Sequence, residues 1–532
     1  MEILFAVGFA VLMLSHLWFM GPLVHIYQLE SYQAPGYVRS VKQNGKVVYS
    51  RLLVPWALPM AAGVLAAGFG LPGWAACLIA AVLSVALGVL SFATWRRQPD
   101  KKPLVFTARI KRLYVALALV ELVLAAVLWL LPGDLVRLAL GQTMGILLLP
   151  LWVLCGGGLA LPVENSFKAW YAHDAARKLA ARKDIIKIGI TGSYGKTSSK
   201  VILGTILSEK YNTLITPASY NTPMGVTRVI RGDLKPETEV FVAEMGARHV
   251  GDIAEMCRLV HPTYGLITSV GPQHLETFFT IENVASTKYE LVEALPENGM
   301  AFFPADNEIC RGLYEKTTRV PAQLFGFEGE NLAMQARDLR VGSEGCTFTL
   351  IAADGEEREC TTRLLGRHNI QNILGCAALA RQLGLTMDEI AAGIGKLKPV
   401  EHRLEIVPTG NGVTVIDDAF NSNPAGARAA LEVIDTFPGR RIIVTPGLVE
   451  LGDREEEENI AFGRAMAGVV TVAVLVARNA AAMEKGLLEA GFDKDNIITT
   501  RTLAQASAAL GHLTQVGDVV LFENDLPDHY EM

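Results

Sequence analysis

The sequence predicts an N-terminal α-helical transmembrane bundle followed by two α/β domains. Long apolar stretches fill the first 161 residues, a strand, a glycine-bearing turn and a helix follow near residue 185, and strands alternate with helices from about residue 404. At roughly 100–200 residues per domain, 532 residues suffice for about three domains. The predicted parts are a transmembrane domain (1–161), a basic linker helix (162–184), a central domain (185–402) and a C-terminal domain (403–532).

Composition separates these parts. Only 19% of the residues are charged, against about 25% in ordinary soluble domains, and the mean hydropathy is +0.30. Residues 1–161 contain 12 Lys and Arg against 5 Asp and Glu, whereas the remainder contains 36 against 49. Because nucleic-acid binding needs cations that replace phosphate counterions, the acidic remainder argues against it. Seven scattered cysteines without a C-x-x-C pair argue against a zinc site or a disulfide framework.

Five apolar stretches predict five transmembrane helices, since each approaches the ~20 residues that cross about 30 Å of hydrocarbon. Loops rich in Lys and Arg alternate with loops that have almost none, so the positive-inside rule places the N-terminus outside and the C-terminal body in the cytoplasm. We therefore predict a multi-pass protein of the cytoplasmic membrane, with membrane lipid as a partner. The stretches are 3–24, 52–70, 73–95, 113–131 and 136–161.

Two features of this part have more than one interpretation. Glu121 lies near the middle of the fourth predicted span, where a carboxylate is costly. It is either a functional group or a protonated or paired side chain inside the bundle. Residues 162–184 are Ala-rich with Lys and Arg, which indicates either a helix whose cations lie near anionic headgroups or a solvated linker helix.

A phosphate-binding loop is predicted at 185–197, where the sequence is I-I-K-I-G-I-T-G-S-Y-G-K-T. An apolar run leads into a Gly-bearing turn and a helical pattern, which is the strand, loop and helix order of a nucleotide site. Backbone N–H groups of such a loop hold phosphate, Lys196 would reach the terminal phosphates, and the Thr197 hydroxyl would ligate Mg²⁺. The loop is not a strict Walker A motif, because Ile190 stands where the first Gly belongs.

Further candidate residues follow along the chain. Glu244 ends an apolar run at 240–243, and a carboxylate at the carboxyl end of a strand is where a second Mg²⁺ ligand belongs. His274 is either a core or capping histidine or a metal-associated one. Lys288 falls on a predicted helix, where it is either a solvated lysine or a functional one.

The order of these motifs resembles the Mur ligase family, most closely the branch that adds D-alanyl-D-alanine. The resemblance covers about residues 185–532. It rests on T-G-S-Y-G-K-T at 191–197, E-M-G-A at 244–247, G-P-Q-H-L-E at 271–276, A-S-T-K-Y-E at 285–290, G-R-H-N-I-Q-N at 366–372, E-H-R-L-E at 401–405, I-D-D-A-F-N-S-N-P at 416–424 and T-P-G-L-V-E-L-G-D at 445–453.

The resemblance implies a P-loop ATPase domain and a Rossmann-like C-terminal domain that together join a carboxylate to an amine. ATP and Mg²⁺ would be required, and an acyl phosphate would be the intermediate. The implied ATP-binding residues are Thr191, Gly192, Ser193, Tyr194, Gly195, Lys196, Thr197, Ser198, Asn369, Asn372, Arg403 and Asp418. The implied catalytic residues are Lys196, Lys288, His274 and Asn221. The implied metal ligands are Thr197, Glu244, His274 and, once carbamoylated, Lys288.

The two ends of the chain depart from the family pattern. Family members begin with a domain that grips the UDP-sugar, and predicted membrane helices replace it here. At 522–528, F-E-N-D-L-P-D stands in place of a K-G-S-R-like stretch. The acid is therefore expected to be a small-molecule or lipid-linked acceptor and the amine donor an amino acid or dipeptide, in peptidoglycan precursor or related envelope synthesis. A γ-polyglutamate-type polymer ligase and a membrane ATPase or sensor remain alternatives.

Overall fold

The computed structural model describes residues 1–96, 103–218, 220–273, 275–342, 345–400, 402–407, 409–410, 412–419, 423–449 and 451–524. The chain divides into two compact units. The first contains Met1–Ala169 and the second contains Trp170–Leu526.

The described part of the first unit is helical. Its helices are α1 (Glu2–Phe19), α2 (Gly21–Leu29), α3 (Ala34–Gln43), α4 (Gly45–Gly68), α5 (Gly73–Arg96), α6 (Ala108–Trp129), α7 (Asp134–Leu147) and α8 (Leu149–Ala181), the last of which continues into the second unit. Four of them, α1, α4, α5 and α6, are long and apolar enough to cross a membrane. The pair α7 and α8 is bent by 76° and makes a fifth span only if the two count as one.

A proline lies close after each break that divides a predicted span. The first stretch, 3–24, is divided at Met20, and Pro22 lies in the first turn of α2. The fifth, 136–161, is divided at Leu148, next to Pro150 in α8. Proline lacks an N–H and therefore begins a helix more readily than it continues one. The predicted linker helix at 162–184 is not separate in the structure but forms the later part of α8, which continues through Pro162.

Small residues let the helices of the bundle approach closely. A Cβ at Gly8 would contact Leu78, one at Gly141 would overlap Phe9, and one at Gly88 would overlap Trp18. Such glycines are typical of helix contacts in membranes, where packing rather than hydrophobic burial drives association. Large apolar side chains also lie exposed on the surface of this unit. Examples are Val82, Leu90 and Val123, which are 69%, 61% and 63% exposed.

The second unit contains a nine-stranded sheet with strand order β2-β3-β1-β4-β5-β6-β7-β8-β9. All neighbours from β2 to β7 are parallel, and β7, β8 and β9 pair antiparallel. The strands are β1 (Ile186–Thr191), β2 (Thr213–Ile215), β3 (Val240–Glu244), β4 (Tyr264–Ile267), β5 (Met300–Pro304), β6 (Ala322–Gly326), β7 (Leu332–Gly342), β8 (Gly345–Ala352) and β9 (Glu357–Thr362).

Helices cover this sheet and bury apolar cores against it. They are α9 (Lys196–Leu207), α10 (Pro223–Gly232), α11 (Asp252–Val260), α12 (Leu275–Phe278), α13 (Ile281–Glu293), α14 (Glu308–Glu315), α15 (Arg367–Gln382) and α16 (Met387–Gly395). One core lies between α9, α15 and α16 and the strands, and two others lie under α10, α11 and α13.

A second sheet of six strands has the order β10-β11-β15-β12-β13-β14, in which only β10 is antiparallel. Its strands are β10 (Glu405–Val407), β11 (Thr414–Asp418), β12 (Arg441–Thr445), β13 (Val472–Val476), β14 (Ile497–Thr500) and β15 (Val519–Glu523). Its helices are α17 (Pro424–Asp435), α18 (Glu455–Ala467), α19 (Ala480–Glu489) and α20 (Leu503–Leu513). Apolar helices followed by two α/β sheets confirm the predicted fold class.

The register of each sheet brings acidic residues to the carboxyl ends of neighbouring strands. In the first sheet Ile190 on β1 is level with Glu244 on β3, so the loop after β1 begins beside that carboxylate. In the second sheet Asp418 on β11 is level with Glu523 on β15. Carboxyl ends of parallel strands are where open α/β sheets bind ligands.

Candidate active site

The predicted phosphate loop connects β1 to α9 in a conformation that two glycines make possible. Gly192 has φ 154° and Gly195 has φ 79°, and both regions disfavour residues with a Cβ. A Cβ at Gly192 would overlap Thr268, and one at Gly195 would crowd the Asn372 amide. The loop therefore runs close to two neighbouring elements and ends at the N-terminus of a twelve-residue helix, which favours anions.

The segment after β4 holds the loop in place. Ser193 N donates to Ser269 O at 2.8 Å, and Tyr194 N donates to Ser269 Oγ at 3.1 Å. Ser193 Oγ donates to Gly271 O at 2.9 Å. Before the loop, Thr191 is buried, and its hydroxyl donates to the carbonyl oxygen of Met245, directly after β3, at 3.0 Å. Ser193 and Thr191 thus have structural bonds in this conformation.

Lys196, the first residue of α9, is half-buried and folds back over the loop. Its Nζ donates to Gly192 O at 2.6 Å and to Ser193 O at 3.1 Å. Burial lowers the pKa of Lys196 to about 8, an effect that nearby Glu244 opposes and Arg403 reinforces. A partly desolvated cation at this position gains from an arriving phosphate, which would favour its charged form.

Glu244 is 1% exposed and has partners at both carboxylate oxygens. Thr197 Oγ1 donates to Glu244 Oε1 at 3.0 Å, and Asn221 Nδ2 donates to the same oxygen at 3.1 Å. Lys200 Nζ lies 2.9 Å from Glu244 Oε2 and is itself 1% exposed. The structure therefore brings the predicted residues Thr197, Asn221 and Glu244 together.

Sequence reasoning missed Lys200. It follows Lys196 by four residues, so both lysines lie on one face of α9. Lys200 Nζ also donates to Ala218 O, and so joins α9, β3 and the segment that carries Asn221. The four-residue spacing is the one sequence feature that relates it to the site.

The Thr197 and Glu244 oxygens fit a magnesium ion. Adjacent ligands of an octahedral Mg²⁺ at about 2.1 Å lie about 3.0 Å apart, which matches the 3.0 Å between Thr197 Oγ1 and Glu244 Oε1. Across the described residues, no group of three His, Cys, Asp or Glu could hold a metal. One carboxylate and one hydroxyl suit Mg²⁺, which takes most other ligands from water and phosphate. His274 lies outside the described residues.

Lys288 on α13 is 2% exposed, and its Nζ lies 5.5 Å from the centroid of the Phe278 ring. Burial lowers its pKa to about 7, and the charge of Lys196 lowers it further, whereas Asp252 and Glu290 oppose the shift. At neutral pH the amine is therefore substantially uncharged, unlike that of a solvated lysine. The structure excludes the interpretation of Lys288 as a solvated surface residue.

Of the predicted ATP-binding residues, Asn369 and Asn372 lie on α15 and Ser198 lies on α9. Asn369 is 7% exposed and its Nδ2 donates to Leu365 O at 2.8 Å. Asn372 is 8% exposed and its amide lies against Gly195, which places it beside the phosphate loop. Ser198, in the first turn of α9, is also 8% exposed.

Arg403 and Asp418 follow at the start of the second sheet. Burial lowers the pKa of the Arg403 guanidinium, and the charges of Asp418 and Glu244 oppose this shift. Burial and then the neighbouring Glu523 raise the pKa of Asp418 to about 8, while a hydrogen bond from Leu404 N at 3.1 Å acts against them. The charge of Arg403 therefore interacts with Glu244 of the first sheet and Asp418 of the second. Asp418 is largely protonated at neutral pH.

Comparison with known protein families gives two matches. The Mur ligase middle domain matches residues 190–380, and the glutamate ligase domain of Mur ligases matches residues 402–523. The first contains the phosphate loop, Glu244 and Lys288. The second begins just before Arg403 and contains Asp418.

Curated relatives named UDP-N-acetylmuramoyl-tripeptide–D-alanyl-D-alanine ligase also match this chain. The Escherichia coli protein is 35% identical over 52% of this chain, which spans 61% of that relative's length. The Mycobacterium tuberculosis H37Rv protein is 32% identical over 63% of this chain and 69% of its own. The Bacillus subtilis protein is 27% identical over 63% of this chain and 72% of its own.

Solved structures extend this similarity to the fold. MurF from Acinetobacter baumannii superposes with a TM-score of 0.62 and 26% identity, covering 68% of this chain and 78% of that one. MurF ligase from Thermotoga maritima in complex with ADP has a TM-score of 0.60 and 27% identity, covering 67% of this chain and 80% of that one. With the phosphate loop, the Thr197–Glu244 pair and both domain matches in place, the chain belongs to the Mur ligase family.

Proposed function

We propose that the protein is an ATP-dependent ligase that joins D-alanyl-D-alanine, or a similar amine, to a muramoyl-peptide carboxylate. The observation that carries this proposal is the Thr197–Glu244 oxygen pair at the end of the phosphate loop, with Lys196 beside it. The names of the curated relatives and the ADP bound in the Thermotoga maritima relative support the substrates and the nucleotide.

The chemistry of amide formation explains these residue types. A carboxylate is a poor electrophile, so we propose that it first takes the terminal phosphoryl group of ATP and becomes an acyl phosphate. The amine then attacks the acyl carbon, and phosphate leaves. Lys196 would offset charge on the transferring phosphoryl group, with the α9 N-terminus and the 192–197 backbone holding the phosphates. Mg²⁺, when bound to Thr197 and Glu244, would add a second positive charge there.

Lys288 has a specific part in this proposal. A neutral amine adds CO₂ and loses a proton to become a carbamate, which changes a cation into an anionic oxygen ligand. The lowered pKa of Lys288 supplies the neutral amine at neutral pH. His274 and the carbamate would hold a second Mg²⁺, Asn221 would orient Glu244, and Asn369, Asn372, Arg403 and Asp418 would contact the adenine, phosphates and ribose.

The proposed location is the cytoplasmic membrane, with the α/β unit in the cytoplasm. Four helices that are apolar and long enough to cross a membrane, and the basic loops between predicted spans, support it. In this location the membrane unit acts as an anchor, or it holds a lipid-linked acceptor in place of a UDP-linked one.

A γ-polyglutamate-type ligase is the second candidate. The C-terminal match is described as a glutamate ligase domain, which supports polymer extension by the same acyl-phosphate chemistry. A membrane ATPase or sensor is less well supported, because a buried, neutral Lys288 has no evident use in a nucleotide switch.

The test is ligation by the full-length protein in detergent with ATP and Mg²⁺. One reaction contains UDP-muramoyl-tripeptide and D-alanyl-D-alanine, and mass spectrometry detects the new amide. Matched reactions replace the acid with its lipid-linked form or replace both substrates with glutamate and a γ-glutamyl oligomer. An amide that requires both peptidoglycan substrates supports the proposal. ATP cleavage only in the glutamate reactions would favour the second candidate.

A further inference from the structure

The membrane unit buries a polar cluster that the proposed ligase chemistry does not use. His16 on α1, Glu121 on α6 and Gln142 on α7 are all 0% exposed. His16 Nδ1 lies 3.3 Å from Glu121 Oε2, and His16 Nε2 lies 3.3 Å from Gln142 Oε1. Gly145 provides room for the imidazole, since a Cβ there would overlap the ring.

The backbone of α4 fixes the orientation of Gln142. The carbonyl of Pro55 would ordinarily accept from the N–H four residues later, but that residue is Pro59, which has none. The carbonyl instead accepts from Gln142 Nε2 at 2.7 Å. Because a carbonyl only accepts, the Gln142 nitrogen faces Pro55 and its oxygen faces His16.

This orientation allows the protons of the cluster to be counted. Gln142 Oε1 accepts, so His16 Nε2 carries a proton. The contact between His16 Nδ1 and Glu121 Oε2 needs one more proton, on the nitrogen or on the oxygen. Without it, two lone pairs would face each other where no water relieves the repulsion. Separated charges are costly in such surroundings, which favours a neutral imidazole that accepts from a carboxylic acid.

The second carboxyl oxygen of Glu121 differs from the first in its surroundings. Glu121 Oε1 is buried and has no hydrogen-bond partner among the residues that the structure describes. A buried acceptor of this kind is ordinarily satisfied by protein or ordered water. A water molecule bound at this oxygen would lie beside the proton that Oε2 carries.

Other titratable groups on the neighbouring helices contact residues outside the His16–Glu121–Gln142 cluster. Cys77 on α5 lies beside Gly8, and His25 on α2 packs against Trp95. On α7, Arg137 bonds to Asp134 and stacks on Trp129. Tyr114 lies two turns before Glu121 on α6, and Glu164, in the middle of α8, is paired with Arg112 near the start of α6.

We propose that His16, Glu121 and Gln142 form a proton-binding site inside the membrane bundle, in which the Glu121 carboxyl group donates its proton from Oε2 to His16 Nδ1 and exchanges it with water. Release of the proton breaks the Glu121 O–H bond and leaves a carboxylate, and the proton leaves as hydronium. Uptake of a second proton would give an imidazolium beside the acid. Both changes create net charge in apolar surroundings, which is costly.

Infrared difference spectroscopy of the full-length protein in detergent tests this site. The carbonyl stretch of a carboxylic acid is distinct from that of a carboxylate and shifts when O–H becomes O–D. Glu121→Gln should remove one such band completely, whereas Ser84→Ala, which alters another buried polar contact of the bundle, should retain it. The wild-type band should shift in D₂O.

An unchanged band in Glu121→Gln would overturn the protonated state, and a band insensitive to D₂O would overturn the exchange. If Glu121→Gln does not fold, His16→Asn retains the acid and changes only its acceptor. The band should then change frequency, and an unmoved band would contradict the proposal. A protonated Asp418 would give a similar band. Protein made with glutamate labelled with ¹³C at its carboxyl carbon separates the two, because the label shifts the Glu121 band and leaves an aspartate band in place.

Discussion

The two parallel sheets place acidic side chains at equivalent edges but surround them differently. Glu244 ends β3, and its two oxygens are held by Thr197, Asn221 and Lys200. Asp418 ends β11 and lies level with a second acid, Glu523. The same topological position is thus electrostatically balanced in one sheet and crowded with like charges in the other.

This difference determines the chemistry of each edge. A carboxylate that is buried, paired and oriented is ready to ligate a divalent cation. A carboxyl group whose pKa is raised to about 8 is mostly an acid at neutral pH, and an acid donates hydrogen bonds to hydroxyls better than it holds a metal. The strand order of a sheet therefore determines the edge at which a ligand binds, and the side chains at that edge determine which ligand it is.

Lys196→Met should give the largest loss at the balanced edge. It removes the cation that, in the proposed reaction, faces the transferring phosphoryl group, and such groups are worth about 10²–10³ in rate. Phosphate release in the presence of both substrates measures the effect. Lys396→Met, which removes a mostly exposed lysine paired with Glu209, is the matched control and should leave the rate unchanged. A small loss in Lys196→Met would remove this lysine from the chemistry.

Lys288→Ala should lower ligation by about 10²-fold, because the proposed metal-bridging carbamate is lost. Small carboxylates that imitate a carbamate should restore part of the activity. In the wild type, activity should rise as the pH increases through about 7, because carbamate forms only from the neutral amine above the pKa of Lys288. Full activity of Lys288→Ala without added carboxylate would contradict the role.

Lys200→Met tests whether the balance at Glu244 matters for metal binding. Removal of a group that orients a metal ligand typically costs 10–100-fold in metal affinity, so we expect the half-saturating Mg²⁺ concentration to rise by at least about tenfold. At saturating Mg²⁺ the rate should largely recover, and Lys200→Arg should lose less. An unaltered Mg²⁺ dependence would make Lys200 a purely structural residue.

Asp418→Asn tests the crowded edge and should give the smallest effect. The folded-state pKa of Asp418 is raised, so its contribution to stability is fully present below the unfolded pKa of about 4 and is lost as pH rises through about 8. The variant lacks this loss, so its Tm should match the wild type below pH ~4 and exceed it by a growing margin as the pH rises to about 8. An equal Tm difference at all pH values would exclude titration of Asp418 as the cause.

Features that follow from short sequence patterns were predicted, whereas features that depend on contacts between distant residues were not. The strand, loop and helix order at 185–207 and the carboxylate at Glu244 follow from short sequence patterns, and the structure places them as expected. Lys200 was missed because a helical lysine is most often solvated, and its burial depends on an acid 44 residues away. Glu121 was noticed, but its partner His16 is 105 residues distant, which no local pattern reveals.

Some fold elements also escaped prediction for physical reasons. The antiparallel strands β7, β8 and β9 alternate buried and exposed residues, which gives a weaker pattern than the apolar run of a buried parallel strand. The chain bends between α7 and α8, next to Pro150, whereas α8 continues through Pro162. Proline alone therefore does not determine where a membrane helix ends.

Isotope transfer from the acid substrate tests whether the reaction passes through an acyl phosphate. The muramoyl tripeptide is labelled with ¹⁸O in its reacting carboxylate, and released phosphate is analysed by mass spectrometry after ligation by the full-length protein. Phosphorylation of that carboxylate makes the departing phosphate carry one ¹⁸O, and the amide retains the other. We predict singly labelled phosphate in proportion to the amide formed. Unlabelled phosphate accompanying a genuine amide product would contradict the acyl-phosphate account.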